Sequence, residues 1–377
     1  MNPRRVWAVA RKEFLHVLRD FRSLGMGILI PMMMLVLFGY ALTLDVDNVP
    51  IVVWDQSYTT ESRALSNRFS GSPYFGVIRR VDNYRDLQWA IDSGEAKAAL
   101  VVPRDFAAMV GAGRPAPIQF IVDGSDANTA TIVLGYATTI AQTYSQEILV
   151  DKLQRIGGAS IRTPLEPRPR VWFNEDLEGK NYIVPGLIAV IMMVIAALLT
   201  SLTVAREWEQ GTMEQLIATP VKGHELILGK LVPYFAIGMF DMVVAVVMGV
   251  GLFHVPLLGS LVLLFAMAAV FLVGVLSMGI VISIITKSQF LASQIAMLLT
   301  FLPAFLLSGF MVPIQNMPRP IQLLTYLVPA RYFVTLLRGL YLKGIDAGIL
   351  GFEIVLLCLF SVVMLVLANL KFKKKLT

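Results

Sequence analysis

Long apolar runs separated by short charged ones dominate the chain, at residues 24–43, 182–205, 231–253, 257–286, 288–312 and 349–370. A helix rises about 1.5 Å per residue, so about 20 apolar residues cross a hydrocarbon core about 30 Å thick. Each run meets that length, and the pattern predicts a polytopic α-helical membrane protein with six transmembrane helices. Only Lys287 divides the fourth run from the fifth. Their combined length is too great for one crossing and predicts two helices joined by a tight turn.

The flanks set the orientation, because lysine and arginine in short loops stay on the cytoplasmic side. Arg4, Arg5, Arg11, Lys12, Arg19 and Arg22 precede the first run, and Lys371, Lys373, Lys374 and Lys375 follow the last. Both termini are therefore expected in the cytoplasm, with the long segment 45–181 outside and 206–230 inside. Within 1–23, Val6, Ala10, Phe14, Val17 and Phe21 fall on one helical face, and Arg5, Lys12, His16 and Arg19 on the other. That is an amphipathic helix expected in the inner interface, where its basic face attracts anionic lipid headgroups. A solvated helix preceding a span is the alternative.

The segment 45–181 changes period. Short β-prone runs at 50–54, 74–81, 96–102 and 118–122 alternate with helix-compatible stretches at 60–70, 84–93 and 104–110, which predicts an α/β domain with a mixed sheet. A longer helix is expected over 125–156, with Ser125 as N-cap and Val133, Ala137, Ile140, Tyr144 and Ile148 along one face. Gly157, Gly158, Pro164, Pro167 and Pro169 then mark a linker. The expected organisation is an interfacial helix at 1–23, helix 1 at 24–44, the α/β domain with its long helix at 45–181, and helices 2–6 at 182–377.

Composition agrees with a membrane class: 56% of residues are hydrophobic and 15% charged, with a mean hydropathy of +0.69, against about 45–50% and 25% in soluble domains. The net charge of +6 sits at the chain ends, as cytoplasmic flanks of spans do, and does not form a nucleic-acid surface. The single cysteine, Cys358, lies within an apolar run and has no disulfide partner in the chain. A phosphate-binding loop needs G-x-x-x-x-G-K-[ST]; the stretch from Gly223 to Lys230 spaces its glycines one residue too far apart and ends on Leu231. His16, His224 and His254 lack metal-ligand spacing. No catalytic residue, metal site or cofactor is expected in this chain.

The inner segment is distinctive. Arg206, Glu207, Trp208, Glu209, Gln210, Gly211, Thr212, Met213, Glu214, Gln215 and Leu216 place acids and an aromatic directly beneath the second run. Acids there depart from the basic character of inner loops, so the stretch reads as a docking helix near 207–217, with Glu207, Glu209 and Glu214 available to a partner. An ordinary interfacial loop is the alternative.

Several motifs together resemble the type-2 (ABC-2) exporter permeases, bacterial branch with a large external insertion after the first helix. They are Lys12-Glu13 and Arg19-Asp20, then Phe38-Gly39-Tyr40-Ala41-Leu42, Val184-Pro185-Gly186-Leu187, Ala205 through Thr212, and Leu307-Ser308-Gly309-Phe310. The resemblance implies a permease of the bacterial inner membrane that exports substrate with ATP hydrolysed by separate cytoplasmic ATPase subunits, which bind the ATP and magnesium. It implies a second permease copy or paralogue, and in related systems a periplasmic adaptor and an outer-membrane channel. By the same resemblance, Arg206, Glu207, Trp208, Glu209, Gly211, Thr212, Glu214 and Leu216 form the coupling segment, and the stretch near 314–345 forms re-entrant outer helices.

Two acids fall within spans. Glu353 sits near a span end, whereas Asp241 is central, where an acid costs ~2.5–3.5 kcal/mol on insertion scales, and is read either as a structural hydrogen-bonding group or as part of a pathway. Ser308 and Gly309 are expected to permit close helix packing. Two other readings stay open: a membrane-anchored sensor whose α/β domain binds a ligand, and a secondary transporter that couples protons through Asp241.

Overall fold

The computed structural model describes residues 2–20, 24–42, 47–157, 172–174 and 178–372. Phe21, Arg22, Gly158, Pro164, Pro167, Pro169, Lys373, Lys374 and Lys375 lie outside them. The chain forms two compact units, Asp45–Pro169 and the combination of Met1–Leu44 with Arg170–Thr377.

Helix α1 (Pro3–Arg19) starts where Asn2 accepts the Arg4 N–H. Its buried stripe is Val9, Ala10, Glu13 and Val17, whereas Phe14 is exposed, so the expected apolar face is rotated and carries an acid. The first apolar run is helical from Leu24: a π-helical turn over Gly25–Leu29 leads into α2 (Ile30–Ala41). This helix is shorter than the five below that are long and apolar enough to cross a membrane.

The Asp45–Pro169 unit contains β1 (Val49–Asp55), α3 (Thr60–Ser70), β2 (Phe75–Arg80), α4 (Tyr84–Asp92), β3 (Ala98–Val102), α5 (Phe106–Ala112), β4 (Gln119–Val122) and α6 (Ala127–Gly157). The sheet order is β2-β1-β3-β4. β1 runs parallel to both neighbours, as βαβ crossovers require, and β4 closes the edge antiparallel to β3. Ile51, Val53, Leu100 and Val102 are fully buried on one face with Leu65, Phe69 and Phe106; Val52, Ala99 and Val101 face Leu87 and Ala90 on the other. The long helix begins later than expected. Ser125 Oγ donates to Asp123 Oδ1 at 2.6 Å, and the Ala130 N–H bonds to the Asp126 carbonyl at 2.9 Å, so Ser125 belongs to the turn and does not cap the helix.

In the other unit α7 (Gly179–Glu209) is the central mast, with 94% of its apolar window buried. It is followed by α8 (Thr212–Ala218), α9 (Gly223–Gly251), α10 (Leu261–Thr286), α11 (Gln289–Leu307), α12 (Arg319–Leu324), α13 (Pro329–Arg338) and α14 (Gly351–Lys371). Helices α2, α9, α10, α11 and α13 all pack on α7. Lys287 ends α10 with a left-handed φ of 54°, the tight turn between the fourth and fifth runs. Helix α9 begins eight residues before its apolar run because Lys222 and Glu225 cap it on the charged side. Between α11 and α14 the chain makes only short pieces, two 3-10 turns (Ile314–Asn316 and Thr325–Leu327), α12, α13 and a π turn (Gly339–Lys343).

Candidate functional site

Three features of the helical unit use polar chemistry where apolar packing would be the default: a charged hub at the α7–α8 junction, an arginine clasp at the start of α7, and a lone acid between them along α9.

The hub centres on Lys230, which is 1% exposed. Its Nζ lies 3.0 Å from Glu207 Oε2 and 3.4 Å from Glu13 Oε2. The Tyr234 hydroxyl donates to Glu13 Oε1 at 3.1 Å, and Lys12 Nζ donates to Glu207 Oε1 at 3.0 Å. Two ammoniums thus face two carboxylates. Buried charges persist only when paired in this way, because several kcal/mol of desolvation opposes each ion. Glu207 is only 6% exposed, which corrects the expectation that it is available to a partner. The residues come from the middle of α1, the last turn of α7 and the first half of α9, so the hub fixes three helices to one another.

Around it lies a second ring of contacts. Arg206 Nη1 reaches Asp20 Oδ2 at 3.4 Å. The Glu209 carboxylate accepts the Gln289 backbone N–H at 2.8 Å and its side-chain amide at 2.5 Å, tying α7 to the start of α11; it too is engaged within the chain. Lys287 Nζ stands 4.7 Å from the centre of the Trp208 ring. Ser283 Oγ on α10 accepts the backbone N–H groups of Val204 and Ala205 at 3.0 and 2.8 Å. At the other end of the inner loop, Glu225 accepts from Asn2 N at 2.7 Å and Lys222 N at 3.0 Å, and Arg5 donates to the Pro220 carbonyl at 2.7 Å. Helix α1 therefore splints the whole loop from Arg206 to Glu225.

The stretch near 207–217, expected as one coupling helix, is not one helix. Arg206 to Glu209 form the last turn of α7, Gly211 takes a left-handed φ of 69°, and a separate helix, α8, follows. Glycine tolerates that conformation without the Cβ clash other residues meet. Met213 is buried against the bundle while Glu214 and Gln215 are exposed, and Thr212 Oγ1 donates to the Glu207 carbonyl at 3.4 Å. Of the acids expected to face outward, α8 presents Glu214.

At the opposite end of α7, the Arg338 guanidinium donates to the carbonyls of Tyr182, Gly309 and Phe310 at 3.2, 2.8 and 3.1 Å and lies 3.4 Å from the Tyr182 ring centre. Ser308 and Gly309 make the turn that ends α11: Gly309 has φ of 81° and Ser308 Oγ accepts the Phe310 N–H. The turn they make exposes the Gly309 and Phe310 carbonyls to this clasp.

Asp241 is 5% exposed and its Oδ1 has no hydrogen-bond partner. It borders two small cavities, of about 20 and 10 Å³, both lined by Pro31 of α2 and by Ile191 and Met192 of α7. Each has room for about one water. Glu353 lies in the first turn of α14. Lys230, Tyr234, Gln289 and Arg338 carry these arrangements without having been singled out as site residues from sequence, and Lys12 and Glu13 stood out only as a family motif. One signal was present: Glu13 occupies a position of the stripe formed by Val9, Ala10 and Val17, and an acid on a buried stripe demands a cation opposite.

A bundle of long apolar helices with a charged hub under its central helix and a short helix hung from that hub fits a multi-pass membrane protein of the transport class. The sequence profile described as ABC-2 family transporter protein matches residues 21–370, and the chain belongs to that family. It is 38% identical over 374 residues to the "Probable multidrug ABC transporter permease YbhS" of Escherichia coli (strain K12), covering 99% of this chain and 98% of that one. It is 30% identical to "Probable multidrug ABC transporter permease YbhR" of the same organism, over 92% of each chain, and 25% identical to "Inner membrane transport permease YhhJ", over 81% of this chain and 79% of the relative. The chain is a multi-pass permease of the inner membrane.

Proposed function

We propose that the chain is the membrane-spanning half of an ATP-driven exporter, powered by cytoplasmic ATPase subunits that dock on α8. The observation that carries this reading is the rigid block beneath the central mast. A force applied to α8 passes through Gly211 and the last turn of α7 into a hub whose four charged groups cannot separate without stranding a buried ion. A loop serving only to connect two spans has no need of such bracing.

In this reading both termini and α8 are cytoplasmic, six helices cross the bilayer with the first run among them, the α/β unit is periplasmic, and the segment between α11 and α14 caps the exit. Two permeases, identical or paralogous, flank the pathway. Asp241 is a polar foothold along it, and α1 rests against inner-leaflet lipid. ATP and magnesium stay with the ATPase. Two relatives are named multidrug permeases, which supports drug-like substrates here, and a periplasmic adaptor with an outer-membrane channel completes the route.

Purifying the permease from its host should bring down an ATPase chain whose hydrolysis responds to substrate. Glu214→Lys should weaken that association or uncouple hydrolysis from transport, while leaving the permease folded. Undiminished coupling in Glu214→Lys together with α8 deletion, or a cysteine at Gln215 labelled only from the periplasm, sinks the proposal.

A further inference from the structure

The core of the Asp45–Pro169 unit is open on one side. Ile118 and Phe120, on and just before the edge strand β4, and Val110 and Ala116 beside it remain only partly buried against the core that β1, β3 and α3 complete elsewhere. Two cavities fill the space between this edge and α6, of about 280 and 320 Å³. Ile118, Ala141 and Ser145 line both, so they form one trough. Along α6 it extends from Leu134 to Lys152, about 27 Å at the helical rise, which is the length class of a long acyl chain. Each half alone approaches the size of an ordinary ligand pocket.

Its chemistry is one-ended. The walls are mostly aliphatic and aromatic from Phe69 and Leu134 to Val110 and Ile148, with Thr138, Gln142 and Ser145 as uncharged polar positions, and the cations Arg114 and Lys152 line the far end. Lys152 Nζ donates to the carbonyls of Val110 and Gly111 at the end of α5, which leaves one of its three donors. Arg114 is exposed and makes no ion pair among the described residues. The nearby Glu147 carboxylate is held by Arg68 at 2.7 Å and does not compete for these cations.

We propose that this trough binds a single-chain anionic amphiphile, its tail between α6 and β4 and its acidic headgroup at Arg114 and Lys152. A long narrow apolar channel with charge at one end matches such a molecule. A docked protein helix would instead need a broad apolar face flanked by polar positions along its length. The proposal concerns the α/β unit alone and stands whether or not the transport reading holds.

The test uses the full-length chain in nanodiscs of uncharged phosphatidylcholine, photolabelled with a diazirine-bearing palmitate and, separately, an alkylamine of equal length. Mass spectrometry then maps the labelled peptides, and labelling of the span helices serves as the internal reference. Palmitate should label peptides of α6 and of residues 110–120. Ala141→Trp and Ser145→Phe, which fill the trough from a core-facing and an exposed position, should each reduce that labelling to background without changing the spans. Arg114→Gln combined with Lys152→Gln, or replacing the carboxylate probe by the amine, should lower it by about tenfold or more, tenfold being the low end for losing one charge-assisted hydrogen bond. Labelling confined to the spans, labelling that survives both filling variants, or equal labelling by the amine overturns the proposal. So does loss of a co-purifying protein from the filling variants in the absence of palmitate labelling, which would assign the trough to a polypeptide.

Discussion

Lys230 Nζ and Glu207 Oε2 stand 3.0 Å apart with 1% and 6% of the two residues exposed, joining residues from the first half of α9 and the last turn of α7 in a nearly water-free contact. Glu13 and Lys12, both from α1, complete it. The pair is a structural cross-brace, and its behaviour on mutation separates bracing from docking.

Lys230→Met leaves the buried Glu13 carboxylate without its cation and Glu207 with Lys12 alone, and removing one partner of a buried ion pair costs about 3–5 kcal/mol. Purified Lys230→Met should therefore unfold at clearly lower temperature than the parent. Combining Lys230→Met with Glu13→Gln and Glu207→Gln, which leaves only the exposed Lys12 charged, should recover much of the loss, because neutral replacement of a buried ion cluster is often nearly neutral. A single variant as stable as the parent would show that water reaches the hub.

Arg338→Lys keeps the charge and loses the planar fork that serves three carbonyls and stacks on Tyr182. Hydrogen bonds to charged groups contribute roughly 1.5–3 kcal/mol each, and lysine cannot match the geometry. Hydrogen exchange of the segment from Ser308 to Phe310 should accelerate in Arg338→Lys nearly as much as in Arg338→Met. Parent-like protection in the lysine variant would mean that charge alone holds the turn.

Gly279 of α10 packs directly against Thr200 and Ala197 of α7. A Cβ there would stand 2.1 Å from Thr200 Oγ1 and 2.5 Å from the Ala197 carbonyl oxygen, and overpacking of this kind costs about 1–3 kcal/mol. Gly279→Ala should lower thermal stability. Adding Thr200→Ala should rescue it only in part, since the backbone oxygen remains. Complete rescue would place the whole clash on the Thr200 side chain.

Asp241 separates stability from function. Burying an acid without a partner is unfavourable, by ~2.5–3.5 kcal/mol on insertion scales at a helix centre, so Asp241→Leu should hold or raise the unfolding temperature. If the side chain serves the pathway, transport should fall in the same variant while complex assembly persists. Normal transport by Asp241→Leu would remove this residue from the route.

The elements of both units were legible wherever a repeat held. The strands and helices of the α/β unit follow the change from long apolar runs to period-two alternation, and α3 spans residues 60–70 in both readings. Helix ends were less legible: α9 starts at Gly223 and α7 runs to Glu209, because charged residues extend a helix when distant partners satisfy them. Gly211 shows the same limit, since a left-handed residue that splits one expected helix into two looks from sequence like any other inner-loop glycine.

Hydrophobic periodicity acts over neighbouring residues, and so the order of residues alone determined the membrane class, the number of apolar runs, the tight turn at Lys287, the α/β insertion and the family motifs. The hub, the clasp and the trough were decided only by the tertiary structure. Glu13 and Lys230 are 217 residues apart, and whether a charge is free to meet a partner or bound inside the chain depends on which helix end packing brings beside it. Ion pairing is a property of distance in space, and a linear pattern carries the demand for a counter-charge without saying which residue supplies it.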